Sequence, residues 1–148
     1  MTTAPRQVLL VEDHPGDVAL MQEALKRAGL GYHVNVVPDG SAAIEYLHRC
    51  GQHADASQPD LIVLDMKLPR KCGLEVFDDI SADPGLREIP LVVLSNSMAE
   101  LDIVKARQGT APMCRVKPGS FAGYVDLVQA IEAFCQNVKG PPEGGTKP

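Results

Sequence analysis

The chain has 148 residues, of which 45% are apolar and 4% aromatic, and its formal net charge is −5. This length suits one domain with an aliphatic core. The acidic balance argues against nucleic acid and against an anionic membrane surface as partners. No apolar run approaches the roughly 20 residues of a membrane span, and the first residues lack the pattern of a signal peptide.

Cysteine usage indicates the cellular compartment. The four cysteines, Cys50, Cys72, Cys114 and Cys135, are scattered and include no Cys-x-x-Cys pair, and no histidine stands at the spacing of a zinc ligand. We therefore expect free thiols in a cytoplasmic protein rather than disulfides or a zinc site.

Five short apolar runs alternate with stretches of helical spacing. The predicted strands are residues 8–11, 33–37, 61–64, 91–94 and 113–116. The predicted helices begin at Pro15, at Ser41, near Leu74, at Ala99 and after Ser120. Such alternation requires a parallel sheet with helices on both faces, whereas the order of the strands does not follow from the pattern.

The composition changes at both ends of the chain. We expect a disordered N-terminus over residues 1–6, one folded domain over residues 7–139, and a disordered tail over residues 140–148, which are rich in Gly and Pro. No linker to a second domain is visible within the sequence.

Ionic and hydroxyl side chains follow four of the five predicted strands. Glu12 and Asp13 follow the first strand, Asp65 the third, Ser95 the fourth and Lys117 the fifth. Each of them alone has an ordinary explanation as a helix cap, a turn residue or a surface charge. Because the carboxyl ends of parallel strands meet at one edge of the sheet, we expect all five side chains to converge there.

This set of side chains suits the transfer of a phosphoryl group. Three carboxylates close together repel one another and favour a cation, and ligands that are all oxygen select a hard ion such as Mg²⁺. Lys117 and Ser95 can hold the oxygens of a phosphoryl group in transfer. Asp65, shielded by the metal, can then act as the nucleophile. The sequence therefore predicts that Asp65 is a phosphoacceptor.

These motifs resemble the receiver domain of two-component response regulators. The resemblance is carried by Glu12-Asp13 after the run 8–11, by residues 64–73, by Ser95 after the run 92–94, and by Lys117-Pro118, and it extends from about residue 7 to 137. Residues 12–17 and 99–103 are similar to the single-domain regulators that are paired with bacterial and cyanobacterial phytochromes.

The resemblance implies a flavodoxin-like (CheY-like) α/β fold with five parallel strands in the order 2-1-3-4-5. It implies that Asp13 binds Mg²⁺ directly, that Glu12 acts through metal-bound water, and that the carbonyl of Lys67 is a further ligand. It also implies that Ser95 and Lys117 bind oxygens of the phosphoryl group on Asp65. The Lys117–Pro118 peptide bond is expected to be cis.

Three positions depart from the family pattern. Lys67 stands where the phytochrome regulators often have Asn, and its ammonium could pair with Glu12 or the phosphate. Asn96 is larger than the residue often found after the hydroxyl residue. Cys114 replaces the aromatic residue that swings inward in many receivers, so the signal is expected to leave by another route.

The expected function is that of a phosphoacceptor switch rather than an enzyme. It would receive its phosphoryl group from a sensor histidine kinase, expected to be a bacteriophytochrome, and act through protein–protein contacts. A homodimer is expected from the resemblance and from apolar residues on the last helix. Two alternatives remain open: a receiver-like module that never binds phosphate, and a Mg²⁺-dependent phosphatase of the haloacid dehalogenase kind. The phosphatase is disfavoured because Lys67 stands where those enzymes carry a second aspartate.

Overall fold

The computed structural model describes residues 7–29, 31–48, 58–107 and 109–139. Along these residues the elements are β1 (Gln7–Val11), α1 (Pro15–Arg27), β2 (His33–Val37), α2 (Gly40–Leu47), β3 (Leu61–Asp65), α3 (Gly73–Ala82), β4 (Leu91–Ser95), α4 (Met98–Ala106), β5 (Met113–Val116) and α5 (Phe121–Lys139). The predicted alternation is confirmed. The segments 1–6 and 140–148, for which disorder was predicted, lie outside the described residues, as does Cys50.

The five strands form one parallel sheet in the order β2-β1-β3-β4-β5. This confirms the strand order that the resemblance implies. Every residue of β3 and β4 is buried, whereas β2 and β5 lie at the edges and are partly exposed. The inner strands are covered on both faces, which explains why they are continuous apolar runs without polar alternation.

Successive side chains of the inner strands point to opposite faces of the sheet and therefore enter two separate cores. Leu9, Ile62 and Val93 pack on the face that carries α2, α3 and α4. Leu10 and Val63 pack on the other face with α1 and α5. Burying one such side chain contributes about 1.5–3 kcal/mol. The sheet is thus held rigidly from both faces, and so are the residues at its edge.

The first two helices begin and end where their local chemistry requires. Proline at the first position starts α1, and Gly29 follows it with a φ of 69°, a conformation that favours glycine. The prediction that Ser41 opens α2 was wrong. The helix begins at Gly40 because the Asp39 side chain accepts a hydrogen bond from the Ala42 amide at 2.8 Å.

The last two helices agree with prediction to within a few residues. The Ser97 side chain caps α4, which begins at Met98, one residue before the predicted start, and ends at Ala106. The apolar residues of α5 face the sheet, with Tyr124 and Ile131 buried and Phe134 partly buried against the same core.

No cis peptide bond occurs in the described residues, so the Lys117–Pro118 bond is trans. The prediction of a cis bond was wrong. An X-Pro bond prefers the trans form by about 0.5–1 kcal/mol, and the bond has this ordinary form here. The Lys117 amide still donates to the Ser95 carbonyl at 2.9 Å, so the residue remains in register with β4.

The described cysteines and helices can be compared with the expectations of free thiols and of no membrane span. Cys72 is exposed and Cys114 half-buried, and both are free thiols, whereas Cys135 lies on α5 and is buried in the core. Among the described residues, none of the helices combines the length and the apolar character needed to cross a bilayer.

Gly73, the first residue of α3, lies against the backbone that follows Asp65. A Cβ atom at this position would lie 2.5 Å from the Met66 Cα and 2.8 Å from the Asp65 carbonyl oxygen. The Gly73 amide also donates to the Met66 carbonyl at 3.0 Å. Because both obstructing atoms belong to the backbone, a larger residue must move the end of β3.

We predict that Gly73→Ala lowers the free energy of unfolding, measured in urea, by about 1–3 kcal/mol, the usual cost of overpacking. Gly16→Ala in α1 is the matched control, since a Cβ there meets no atom within 4 Å. It should leave stability unchanged or raise it by about 0.5–1 kcal/mol. Equal stability of the two variants would contradict the close approach.

Candidate functional site

The residues predicted to form the site all lie at the carboxyl edge of the sheet. The strand ladder continues past the ends of the strands: the Glu12 amide donates to the Val37 carbonyl at 3.1 Å, and the Lys117 amide donates to the Ser95 carbonyl. Asp65 is the last residue of β3. Backbone pairing therefore sets the positions of the acids and the lysine before any side chain makes a contact.

The ammonium of Lys117 is the centre of the site. Its Nζ lies 3.1 Å from Glu12 Oε2, 3.2 Å from Asp65 Oδ2 and 3.1 Å from Asp17 Oδ2. Burial opposes the charged form, but the hydrogen bonds to Asp17 and Glu12 and the charge of Asp65 outweigh it and raise the pKa of Lys117. Lys117 is therefore a fixed positive charge shared by three carboxylates.

Asp65 carries the clearest electrostatic perturbation in the site. Its side chain is 3% exposed, and this burial, together with the charge of Glu12, raises the pKa of Asp65 to about 6. Lys117 and the Lys67 amide, which donates to Asp65 Oδ1 at 3.2 Å, act in the opposite direction. Each oxygen of the Asp65 carboxylate thus has a defined hydrogen-bond partner. The positive charge of Lys117 does not fully offset the burial and the charge of Glu12.

The donor atoms at this edge fit a divalent cation. One ligand atom from each of Glu12, Asp13, His14 and Asp65 lies within 4.8 Å of the others. Carboxylate oxygens predominate, which is the chemistry of hard divalent ions. The excess of negative charge around Asp65 gives a physical reason for a divalent cation to bind at this edge.

Lys67 contributes to the site through its backbone. Its amide donates the hydrogen bond to Asp65 Oδ1 that is described above, and its side chain is exposed. The role of its carbonyl as a metal ligand stays a prediction. Asn96, the other departure from the family pattern beside the site, helps to line a pocket of about 80 Å³ together with Asp65, Lys117 and Glu100.

Ser95 is buried and its hydroxyl is fully engaged. It is 2% exposed, its oxygen accepts a hydrogen bond from the Ser97 amide at 2.9 Å, and its proton is donated to the Glu100 carboxylate. The hydroxyl lies at the predicted edge of the sheet, but it donates its proton to a residue in the first turn of α4.

Sequence reasoning missed three residues of the site: His14, Asp17 and Glu100. His14 Nδ1 lies 3.1 Å from Glu12 Oε2 and 3.3 Å from Asp13 Oδ1, and the bond to Glu12 and the charge of Asp13 raise the pKa of His14. Asp17 and Glu100 both lie in the first turn of a helix that follows a site strand. That position was the available signal, since such turns face the carboxyl edge.

Asp17 also links the site to α5. The Tyr124 hydroxyl donates to Asp17 Oδ1 at 3.3 Å, while the other oxygen of Asp17 binds Lys117. Burial, reinforced by the charge of Asp17, raises the pKa of Tyr124, so the phenol remains a proton donor. The orientation of Lys117 is thereby tied to both α1 and α5.

Comparison with known proteins agrees with this geometry. The response regulator receiver domain matches residues 8–132. The response regulator Rcp1 of Synechocystis sp. is 35% identical over 130 residues, which cover 88% of each chain. The structure of Rcp1 in its Mn²⁺-bound form has a TM-score of 0.79 and 34% identity, over 97% of this chain and 99% of that one.

Two further solved structures are similar. The phosphorylated cyanobacterial phytochrome response regulator RcpA has a TM-score of 0.83 and 38% identity, and the match covers 95% of this chain and all of that chain. The bacteriophytochrome response regulator RtBRR has a TM-score of 0.75 and 37% identity, over 86% of this chain and 78% of that chain. The chain belongs to the response regulator receiver domain family, and its relatives include the phytochrome response regulators.

Proposed function

We propose that Asp65 accepts a phosphoryl group from a phosphohistidine of a sensor histidine kinase, and that the output is a protein–protein contact. The observation that carries this proposal is the environment of Asp65, a buried carboxylate at the end of β3 that faces a small polar pocket. Lys117 holds one of its oxygens and the Lys67 amide holds the other. The orientation of the carboxylate is therefore set before a phosphoryl donor arrives.

The transfer itself requires little covalent chemistry from the protein. A carboxylate oxygen of Asp65 attacks the phosphorus, the P–N bond of the phosphohistidine breaks, and the imidazole leaves with the electron pair and takes up a proton. The product is an acyl phosphate. Lys117 and Ser95 are the donors proposed for the oxygens of the new phosphoryl group, whose charge they help to balance.

We propose Mg²⁺ as the divalent ion of this site. Glu12, Asp13 and Asp65 would hold it with oxygen atoms, and the Lys67 carbonyl is proposed as a further ligand. When bound, Mg²⁺ reduces the repulsion between the carboxylates and an incoming phosphoryl group. The carboxylate oxygens that predominate among the clustered donor atoms support this choice.

A phosphoacceptor switch, rather than an enzyme acting on external substrates, is the proposed mode of action. The two alternatives are not favoured. A module that never binds phosphate would have no need for the buried, mutually paired Glu12, Asp65 and Lys117. A phosphatase of the haloacid dehalogenase kind requires a second carboxylate two residues after the nucleophile, and here that residue is the exposed Lys67.

We further propose a bacteriophytochrome as the cognate kinase and the cytoplasm as the location. The similarity to phytochrome regulators supports the first proposal. The free thiols of Cys72 and Cys114 support the second, because cysteines remain reduced in the cytosol.

We predict that the protein takes up acid-labile phosphate from a panel of autophosphorylated histidine kinases, fastest from a bacteriophytochrome. Asp65→Asn should abolish the labelling, because the amide is not a nucleophile for this transfer. Asp102→Asn on α4, which removes an exposed carboxylate, is the matched control and should be labelled like the wild type.

Labelling that persists in Asp65→Asn would contradict the assignment of the acceptor. Labelling that is equally fast from unrelated kinases and from a phytochrome would contradict only the proposed partner.

Without metal, the wild type should lose stability relative to Asp65→Asn as the pH rises from about 4 to about 7. The folded-state pKa of Asp65 is raised to about 6, above the value of about 3.9 in an unfolded chain. A raised carboxyl pKa stabilises the fold fully below the unfolded pKa, and this contribution disappears as the pH passes the folded pKa. The loss should be on the order of 1–3 kcal/mol.

Urea unfolding in EDTA at several pH values measures this difference, and millimolar Mg²⁺ at pH 8 should reduce it. Parallel pH profiles for the wild type and Asp65→Asn would show that Asp65 does not titrate in this range.

We also propose a homodimer, formed through α4 and β5. The apolar residues of α5, on which the expectation was based, pack instead against the core, and Phe121 and Val125 are partly buried there. Exposed apolar side chains occur at Ile103 on α4 and Val116 on β5, which are 51% and 47% exposed. These two elements are in contact, and β5 is an edge strand. An apolar surface beside a sheet edge suits pairing with a second copy.

Sedimentation equilibrium at about 100 µM protein should detect this dimer. Val116→Lys should weaken the association by about tenfold or more, since it places a charge in the interface. Val36→Lys is the matched control, because Val36 is 39% exposed on β2, the opposite edge of the sheet. A monomeric wild type, or equal effects of the two substitutions, would contradict the proposal.

A further inference from the structure

The hydroxyl group of Ser95 already has an anionic partner. Its proton is donated to the Glu100 carboxylate, and its oxygen accepts from the Ser97 amide at 2.9 Å. A hydroxyl has a single proton and can make one strong donor bond at a time. In this state, Ser95 cannot donate to a phosphoryl group on Asp65 without releasing Glu100.

Glu100 is held in place by the start of α4. The Ser97 side chain accepts a hydrogen bond from the Glu100 amide at 3.2 Å, and the Ser97 carbonyl accepts from the Leu101 amide. Ser95, Ser97 and Glu100 therefore form a closed hydrogen-bonded unit that spans the end of β4 and the first turn of α4. If the Glu100 carboxylate moves, this turn must adjust.

Glu100 also lies where new negative charge would appear. Its side chain lines the same pocket of about 80 Å³ as Asp65 and Lys117. A phosphoryl group on Asp65 replaces the single charge of the carboxylate with about two negative charges in that space, and its oxygens require hydrogen-bond donors. It would repel Glu100 and compete with it for the proton of Ser95.

We propose that Glu100 is an internal competitor of the phosphoryl group for the Ser95 hydroxyl, and that its displacement transmits phosphorylation to α4. This inference rests on the proposed function of Asp65. It supplies a route for the signal in a chain that has Cys114 where many receivers have the aromatic switch residue. Glu100 acts as a positioning residue: in the unphosphorylated state it holds Ser95 away from the acceptor and so favours that state.

A carboxylate in the first turn of a helix also interacts favourably with the helix dipole, whether or not it contacts Ser95. The experiment must therefore separate the two roles. Beryllofluoride with Mg²⁺ is a suitable probe, because it forms a phosphoryl-like adduct on an aspartate without turnover. Its affinity can be measured by calorimetry for the wild type, Glu100→Ala and Asp102→Ala, the last removing an exposed carboxylate two residues away.

Glu100→Ala should bind beryllofluoride about tenfold more tightly than the wild type, the effect of one hydrogen bond to a charged acceptor that no longer has to be broken. Asp102→Ala should change the affinity less than about twofold. In a Ser95→Ala background the gain from Glu100→Ala should disappear, because the two residues act through one bond. A gain that persists without Ser95, or is matched by Asp102→Ala, would overturn the proposal.

Hydrogen exchange of the unmodified protein gives a second test that needs no variant. Loading with beryllofluoride should accelerate exchange of the amides in the first turn of α4, while the amides of α1 change little. Unchanged protection of α4 in a loaded sample would overturn the inference. Failure of the wild type to bind beryllofluoride at all would instead overturn the proposed function.

Discussion

A single buried ammonium partly neutralises the carboxylates of this site. Lys117 is 6% exposed and lies within hydrogen-bonding distance of Glu12, Asp17 and Asp65. Two of these carboxylates, Glu12 and Asp65, are themselves 3% exposed. Charges this far from water are tolerated only when they are paired, and removing one member would leave the others uncompensated. The pairing is nevertheless incomplete, because one positive charge faces three negative ones, and this deficit gives the site its affinity for a divalent cation.

The sheet determines which charges meet. β1 and β3 are neighbours, so Glu12 and Asp65 lie side by side, whereas β5 is separated from β3 by β4. Adjacent strands are about 4.8 Å apart, and a long side chain such as that of lysine is needed to cross from β5. The strand between them contributes the small, buried hydroxyl of Ser95. The geometry of a parallel sheet thus selects the residue types that can form the site.

The hydrogen bonds at this edge would connect the proposed phosphorylation of Asp65 with a distant surface. The polar groups at this edge are already paired, and a new phosphoryl group has to take donors from existing partners. Ser95 is one such donor, and its present partner, Glu100, belongs to α4. That helix and β5 carry the exposed Ile103 and Val116. A change at Asp65 therefore has a path of contacts to the apolar surface without an aromatic residue at Cys114.

The sequence by itself determined the fold class, the alternation of strands and helices in the described residues, and which side chains stand at the carboxyl edge of the sheet: Glu12, Asp13, Asp65, Ser95 and Lys117. These follow from apolar runs and from what stands at their ends, because strand periodicity and the common edge of a parallel sheet are local and topological properties. The strand order came from the resemblance to receivers, since alternation alone leaves it open.

Only the tertiary structure decided the partners of these residues. Three contacts depend on side-chain directions and on how each helix is placed against the sheet. They are the sharing of Lys117 among three acids, the contact of His14 with Glu12, and the bond between Ser95 and Glu100. The apolar pattern likewise did not predict the trans Lys117–Pro118 bond or the start of α2 after Asp39. The physical reason is that hydrogen bonds and burial are set by distances of a few tenths of an ångström, which a periodic pattern does not encode.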